Sequence, residues 1–330
     1  MRSKRETTQL LSVASNTMSL PNNWTYDRSR RRYLFLLALV LALTALFSTA
    51  AFSALDPYSR KGVFDDHPGL RLITEIDSLI EIPQDIVDRF ALAFEYIEGK
   101  NLKQNFGLAA ELFRSIAEET AWPVAQFNLG VMYEQEWGVP EDYQEAAQWY
   151  RLAAEQGLAK AQAALGRLLM VGDGVEQDQR KAVEWFRKAA EGGDAFGQLY
   201  LGHAYEHGKG VKKDPAQAVK WTTLAAEQNL SQAMVEMAVK YYFGVDVERN
   251  REKAKEWFEQ IRENGDAEAK FLIGEFLSLM GANPDLAAEA FTWFKRAAEE
   301  DHAEAQVMLG RLYSEGEGVE RDNEEGVKWF

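Results

Sequence analysis

The amino-acid sequence predicts an all-α protein, a solenoid of helix–turn–helix repeats preceded by a single N-terminal transmembrane helix. Two observations predict the solenoid. A register of 36 residues recurs without a gap from residue 125 onward, and small and apolar residues within each period follow helical spacing. A third observation, a stretch of 23 uncharged residues near the N-terminus, predicts the membrane helix.

The first 32 residues form a basic leader that we expect to be cytoplasmic. Arg28, Arg30, Arg31 and Arg32 directly precede the uncharged stretch 33–55, and basic residues flanking a membrane helix stay on the cytoplasmic side. As a helix the stretch is about 35 Å long, enough for a hydrocarbon core of about 30 Å. The repeats are therefore expected on the non-cytoplasmic side, which is the periplasm in a Gram-negative bacterium.

A cleaved signal peptide is the alternative to this signal anchor. Ser48-Thr49-Ala50 offers the small residues that a signal peptidase prefers. We favour the anchor, because the stretch exceeds the usual apolar region of about 7–15 residues and follows a long leader. With cleavage, the protein would be a periplasmic or secreted binding protein or effector.

Residues 56–87 are predicted to form a linker and an N-terminal capping helix. The apolar residues of this segment are spaced as on one face of a helix before Pro83, namely Leu72, Ile73, Ile76, Leu79 and Ile80. The solenoid then extends over residues 88–330, because a degenerate copy of the repeat precedes residue 125.

Three columns of the 36-residue register define the repeat. The first holds Ala125, Ala161, Gly197, Ala233, Ala269 and Ala305, and the sixth holds Gly130, Gly166, Gly202, Ala238, Gly274 and Gly310. Six of the nine tryptophans share a third column: Trp149, Trp185, Trp221, Trp257, Trp293 and Trp329. We expect these tryptophans to supply most of the apolar area that holds neighbouring repeats together.

A recurring spacing of Gly-x-Gly-Val-x-x-Asp separates the two predicted helices in the regular repeats. It reads Gly172-x-Gly174-Val175-x-x-Asp178 in one copy, and residues 208–214 repeat it. Glycine is expected to end the first helix in a left-handed conformation. Valine is expected to fill the core, and aspartate to cap the second helix.

The chain resembles the Sel1-like repeat family, a branch of the tetratricopeptide-type α-solenoids. The resemblance rests on Ala161-x-x-x-Leu165-Gly166, the glycine turn, and Ala182-x-x-Trp185-Phe186-x-x-Ala189-Ala190-x-x-Gly193. It implies a right-handed solenoid with six repeats plus a truncated seventh, and a protein that binds other proteins.

The fifth repeat departs from the pattern. Val245-Asp246-Val247 replaces the usual glycine turn, and Ile261-Arg262 replaces the usual pair of alanines. The turn of the sixth repeat is also atypical, with Gly281-Ala282-Asn283-Pro284. Locally altered packing is expected there.

The sequence carries no pattern typical of an enzyme. It has no cysteine, and it lacks the Ser-x-x-Lys that would support the β-lactam hydrolysis linked to cysteine-rich relatives, which is the less favoured alternative. The region after residue 60 has a net charge of −20, which disfavours nucleic acid as a partner. We therefore predict a non-enzymatic, membrane-tethered scaffold or regulator that needs no cofactor, metal or small-molecule substrate.

His203 and His207 lie one helical turn apart, a spacing at which two imidazoles can share a metal ion. Nothing nearby in the sequence completes a coordination shell, so two exposed surface histidines are the favoured interpretation.

The variable positions of the first helices are the candidate partner-binding residues. Positions four, seven and eleven of a repeat share one helical face. In three successive repeats they are Tyr200, His203 and His207; Glu236, Val239 and Phe243; and Leu272, Glu275 and Leu279. The alternative, that neighbouring repeats simply bury these side chains, stays open.

Overall fold

The computed structural model describes residues 82–279 and 284–330, which form fourteen helices and no strands. The helices are α1 (Gln84–Glu98), α2 (Phe106–Thr120), α3 (Pro123–Glu134), α4 (Tyr143–Glu155), α5 (Ala159–Val171), α6 (Gln179–Glu191), α7 (Ala195–His207), α8 (Pro215–Glu227), α9 (Ser231–Phe243), α10 (Arg251–Asn264), α11 (Ala267–Leu279), α12 (Pro284–Glu299), α13 (Ala303–Glu315) and α14 (Asn323–Trp329). The prediction of an all-α repeat solenoid is confirmed.

The predicted leader, membrane span 33–55 and capping helix lie outside the described residues. Within residues 82–279 and 284–330, no helix is long and apolar enough to cross a membrane. The first described helix begins at Gln84, four residues before the predicted start of the solenoid at residue 88.

Seven helix pairs, α1–α2 through α13–α14, form repeats one to seven, and each pair packs on the next. First helices also pack directly on one another across repeats, α5 on α7 and α9 on α11. The candidate partner-binding residues lie on three of these first helices, α7, α9 and α11.

The turn of repeat three ends one helix and begins the next as predicted. Gly172 ends α5 in the left-handed conformation with φ 90°, and its N–H donates to the Leu168 carbonyl. The Asp178 carboxylate accepts from the Lys181 N–H at 3.0 Å and caps α6. Val175 is half-buried, and the equivalent Val139 packs against the buried apolar core while it stays half-buried.

The residue after the tryptophan is fully buried in repeats two, three and six. Tyr150, Phe186 and Phe294 have no exposed surface, whereas Trp149 and Trp185 are half-buried and Trp293 is 6% exposed. That the tryptophans supply most of the apolar area between neighbouring repeats stays a prediction.

Glycine in the sixth column makes this burial possible. A Cβ added at Gly166 would lie 2.6 Å from the Phe186 ring, and one at Gly130 would lie 2.7 Å from the Tyr150 ring. Such distances are well inside van der Waals contact. The missing side chain lets the aromatic ring lie directly on the first helix.

Repeat five lacks this glycine and packs differently. Ala238 occupies the column, and its partner Phe258 is half-buried. Gly265 at the end of α10 is extended, with φ −69° and ψ 145°, where the equivalent Gly157 and Gly193 are left-handed. As a result α10 makes little contact with α11, in agreement with the predicted local change.

Candidate partner-binding face

The nine candidate residues lie on α7, α9 and α11, and their burial divides them into three groups. Tyr200, His203 and Leu272 are buried, with 1%, 7% and 5% exposure. Glu236, Val239, Phe243 and Glu275 are half-buried, and His207 and Leu279 are exposed. Burial between repeats therefore accounts for part of the set, and for the side chains that reach the surface partner binding stays a prediction.

A network of ion pairs lies beneath the face and joins α7 to α9. His203 Nε2 lies 2.7 Å from Glu236 Oε2. Lys240 Nζ lies 2.8 Å from Glu206 Oε1, 3.3 Å from Glu236 Oε1 and 3.7 Å from Asp246 Oδ2. The prediction that His203 is an exposed histidine is wrong, since the residue is only 7% exposed.

Opposite charges stabilise the buried members of the network. Burial raises the pKa of Glu236, but His203 and Lys240 outweigh it and lower the pKa to about 2. Burial lowers the pKa of Lys240, but Glu236 and Glu206 raise it above its ordinary value. Both groups are therefore charged at neutral pH. The helical spacing at positions four, seven and eleven did not identify Lys240, which occupies position eight.

We expect Glu236→Gln to lower the free energy of unfolding by about 1.5–3 kcal/mol at pH 7, the usual contribution of hydrogen bonds to charged groups. The folded-state pKa near 2 is below the ordinary 4.5. This contribution is therefore fully present above pH 4.5 and is lost as the pH falls towards 2.

Urea denaturation of the full chain at pH 7 and pH 3 measures this effect. The difference between wild type and variant should shrink at pH 3. Glu248→Gln, at an exposed carboxylate after α9, is the matched control. It should leave the free energy of unfolding unchanged at both pH values. An equal loss at both pH values would contradict the assignment.

A second ion pair is fully buried between repeats two and three. Arg167 Nη2 pairs with Glu134 Oε1, and their side chains are 1% and 0% exposed. The Tyr150 hydroxyl donates to Glu134 Oε2 at 2.7 Å. Burial, together with the Glu134 charge, raises the pKa of Tyr150 well above its ordinary value. Position seven of the first helix therefore carries a buried cationic or imidazole side chain in both repeats three and four.

At repeats five and six the face becomes aromatic. The Tyr242 ring lies 5.2 Å from Phe243 and 6.0 Å from Phe276, and Phe243 lies 5.8 Å from Phe276. Phe258 stacks on Phe276 at 6.5 Å. The rings bridge α9 and α11, where Phe276 is 8% exposed and Tyr242 and Phe243 are half-buried.

Metal binding at His203 and His207 finds no support in the geometry. Their ring centroids are 6.4 Å apart, and His203 already pairs with Glu236. Across the described ranges 82–279 and 284–330, no group of three or more histidine, aspartate or glutamate side chains is arranged to hold a metal ion.

A family model decides the identity of these repeats. The model of the Sel1 repeat matches residues 89–120, 123–158, 159–194, 195–230, 231–266, 267–302 and 303–330. The chain belongs to the Sel1 repeat family. The seven matched segments coincide with the seven helix pairs, as the resemblance in the sequence predicted. No curated protein sequence matches the chain.

Three solved structures are similar to this chain, and the first shows the same fold. A Sel1 repeat protein from Oxalobacter formigenes is 28% identical, with a TM-score of 0.52 over 96% of this chain and 93% of that one. A protective antigen of uropathogenic Escherichia coli with an SLR fold is 29% identical, with a TM-score of 0.43 over 79% of this chain. This chain spans 62% of the length of that antigen. An immunity protein from Pseudomonas aeruginosa is 20% identical, with a TM-score of 0.46 over 68% of this chain and 86% of that one.

Proposed function

We propose that this Sel1 repeat protein is a non-enzymatic scaffold or regulator that binds partner proteins through the first helices of its repeats. The Sel1 repeat fold is typical of protein–protein interaction scaffolds. One observation carries the proposal for this chain: Val245 and Leu279 are 38% and 50% exposed near the ends of α9 and α11, whose Phe243 and Phe276 rings lie 5.8 Å apart. Apolar and aromatic side chains at a surface are characteristic of protein-binding sites.

Site-specific photo-crosslinking in cells of the source organism tests this proposal. A photoreactive phenylalanine analogue at position 243 or 279 of the full chain should give adducts of discrete mass after irradiation. Position 152 is the matched control, because Leu152 is 45% exposed but lies on the second helix α4. Adducts that are absent, or identical at all three positions, would contradict partner binding by the first helices.

We further propose that residues 33–55 tether the protein to a membrane with its repeats on the non-cytoplasmic side. The uncharged stretch and the four arginines before it support this topology. Fractionation, protease accessibility and N-terminal sequencing of the full chain test it. Uncleaved protein in the membrane fraction is the expected result, and a mature soluble product beginning near Ala51 would replace the anchor by a cleaved signal peptide.

A further inference from the structure

An apolar edge runs along the face at repeats five and six. We define the aromatic edge as Tyr242, Phe243, Val245, Phe276 and Leu279. Its three rings pack within 5.2–6.0 Å of one another, and Val245 and Leu279 at its margin are exposed. The ring cluster holds the edge in a fixed position, so little side-chain entropy is lost when another surface covers it.

An unpaired carboxylate lies beside this edge. Glu275 is half-buried on α11, one helical turn before Leu279, so both side chains share a face. Burial raises the pKa of Glu275, and the Glu268 and Glu304 carboxylates raise it further. Within residues 82–279 and 284–330, no side chain forms an ion pair with Glu275.

The imidazole that acts on Glu275 is already engaged. His302 lowers the pKa of Glu275, but its Nε2 lies 2.9 Å from Glu268 Oε2. Glu275, Glu268 and Glu304 therefore give the surface around Glu275 an excess of negative charge, whereas Arg249 donates from Nε to the Tyr242 carbonyl at the repeat-five side of the aromatic edge. Covering Glu275 with an apolar or acidic surface would leave a carboxylate without water or a counter-ion, which is costly.

We propose that the aromatic edge binds a cationic amphipathic segment of a partner protein, with a lysine or arginine side chain placed beside Glu275. Apolar side chains of the segment would contact Phe243 and Leu279, as in helix-in-groove recognition. The net charge of −20 after residue 60 attracts such a segment over a longer range. The inference rests on the proposed function and adds the chemical class of the partner.

Peptide binding to the full chain in phosphatidylcholine nanodiscs tests the inference. The probes are a fluorescent 14-residue helical peptide of leucine and lysine, the same design with glutamate, and a scrambled leucine/lysine peptide. Fluorescence anisotropy, corrected with empty nanodiscs, should show the leucine/lysine helix binding at least ten-fold more tightly than either other probe.

Two variants at the edge and two matched controls locate the binding. Glu275→Lys should weaken the leucine/lysine helix at least ten-fold and strengthen the leucine/glutamate helix. Leu279→Ser should weaken both. Glu184→Lys and Leu152→Ser, at exposed positions of α6 and α4, should leave the affinities unchanged. Circular dichroism should be the same for all variants.

The outcomes separate this inference from the proposed function. Equal effects of Glu275→Lys and Glu184→Lys would show a general charge attraction and overturn the inference. If neither helical peptide binds but crosslinked partners form at positions 243 and 279, the proposed partner binding stands. The inference that the partner segment is cationic is then wrong. Crosslinked adducts with the mass of two copies of this chain would instead make the edge a self-association surface, and would also overturn the inference.

Discussion

We expect Arg167→Met to lower the free energy of unfolding by about 3–5 kcal/mol, because removing one member of a buried ion pair leaves the other charge uncompensated. Glu134, the remaining member, has no exposed side-chain surface. The Tyr150 hydroxyl still donates to it, but a neutral hydroxyl does not replace a guanidinium. Urea denaturation followed by circular dichroism measures the loss. Hydrogen exchange should place it in α3, α4 and α5.

A double variant separates the charge from the packing. Glu134→Gln keeps an acceptor for Tyr150 and removes the charge, so Arg167→Met with Glu134→Gln should recover most of the loss. Exchanging a buried ion pair for uncharged groups of similar volume is often neutral or stabilising. A double variant as unstable as Arg167→Met alone would show that the shape of the arginine, and not the ion pair, stabilises this junction.

Gly174→Ala is expected to lower the free energy of unfolding by about 2–5 kcal/mol, by two additive causes. Its φ is 65°, and a left-handed conformation costs a residue with a Cβ about 1–2 kcal/mol. In addition, the new Cβ would lie 2.2 Å from the Tyr143 carbonyl carbon. Overpacking of this kind costs about 1–3 kcal/mol. Urea denaturation of the full chain measures the sum.

Gly193→Ala is the matched control for this clash. Gly193 also has a positive φ, 84°, but a Cβ there would meet nothing within 4 Å. It should therefore show only the cost of the backbone conformation, about 1–2 kcal/mol. If Gly174→Ala and Gly193→Ala lower the free energy of unfolding equally, repeats two and three must separate at no cost and so relieve the clash. Repeat five already carries a residue with a Cβ at the register position of Gly174, because Asp246 has a left-handed conformation there.

The close approach at Gly174 explains why the second glycine of the turn recurs. A Cβ at Gly210 would lie 2.0 Å from the Gln179 carbonyl oxygen, and one at Gly318 would lie 2.2 Å from the Ala287 carbonyl oxygen. In each case the turn of one repeat lies on the start of the second helix of the repeat before it. The sequence pattern identified the turn, but its role in joining repeats became visible only in the structure.

The position of the candidate face could be predicted from the sequence, but the burial of its residues could not. Helical geometry places positions four, seven and eleven on one side, and the structure places all nine residues on the first helices α7, α9 and α11. Helical geometry does not determine burial. Tyr200 and Leu279 followed from the same rule, yet one is 1% and the other 50% exposed, because burial depends on side chains of the neighbouring repeats.

The sequence by itself determined the helical repeats, their number and their ends, since these depend on local features. A left-handed glycine such as Gly172 ends a helix, and an aspartate such as Asp178 caps the next, each through backbone groups a few residues away. Only the tertiary structure decided which polar residues pair. Glu134 with Arg167 and His203 with Glu236 are each 33 residues apart, a separation that only the stacking of repeats can close.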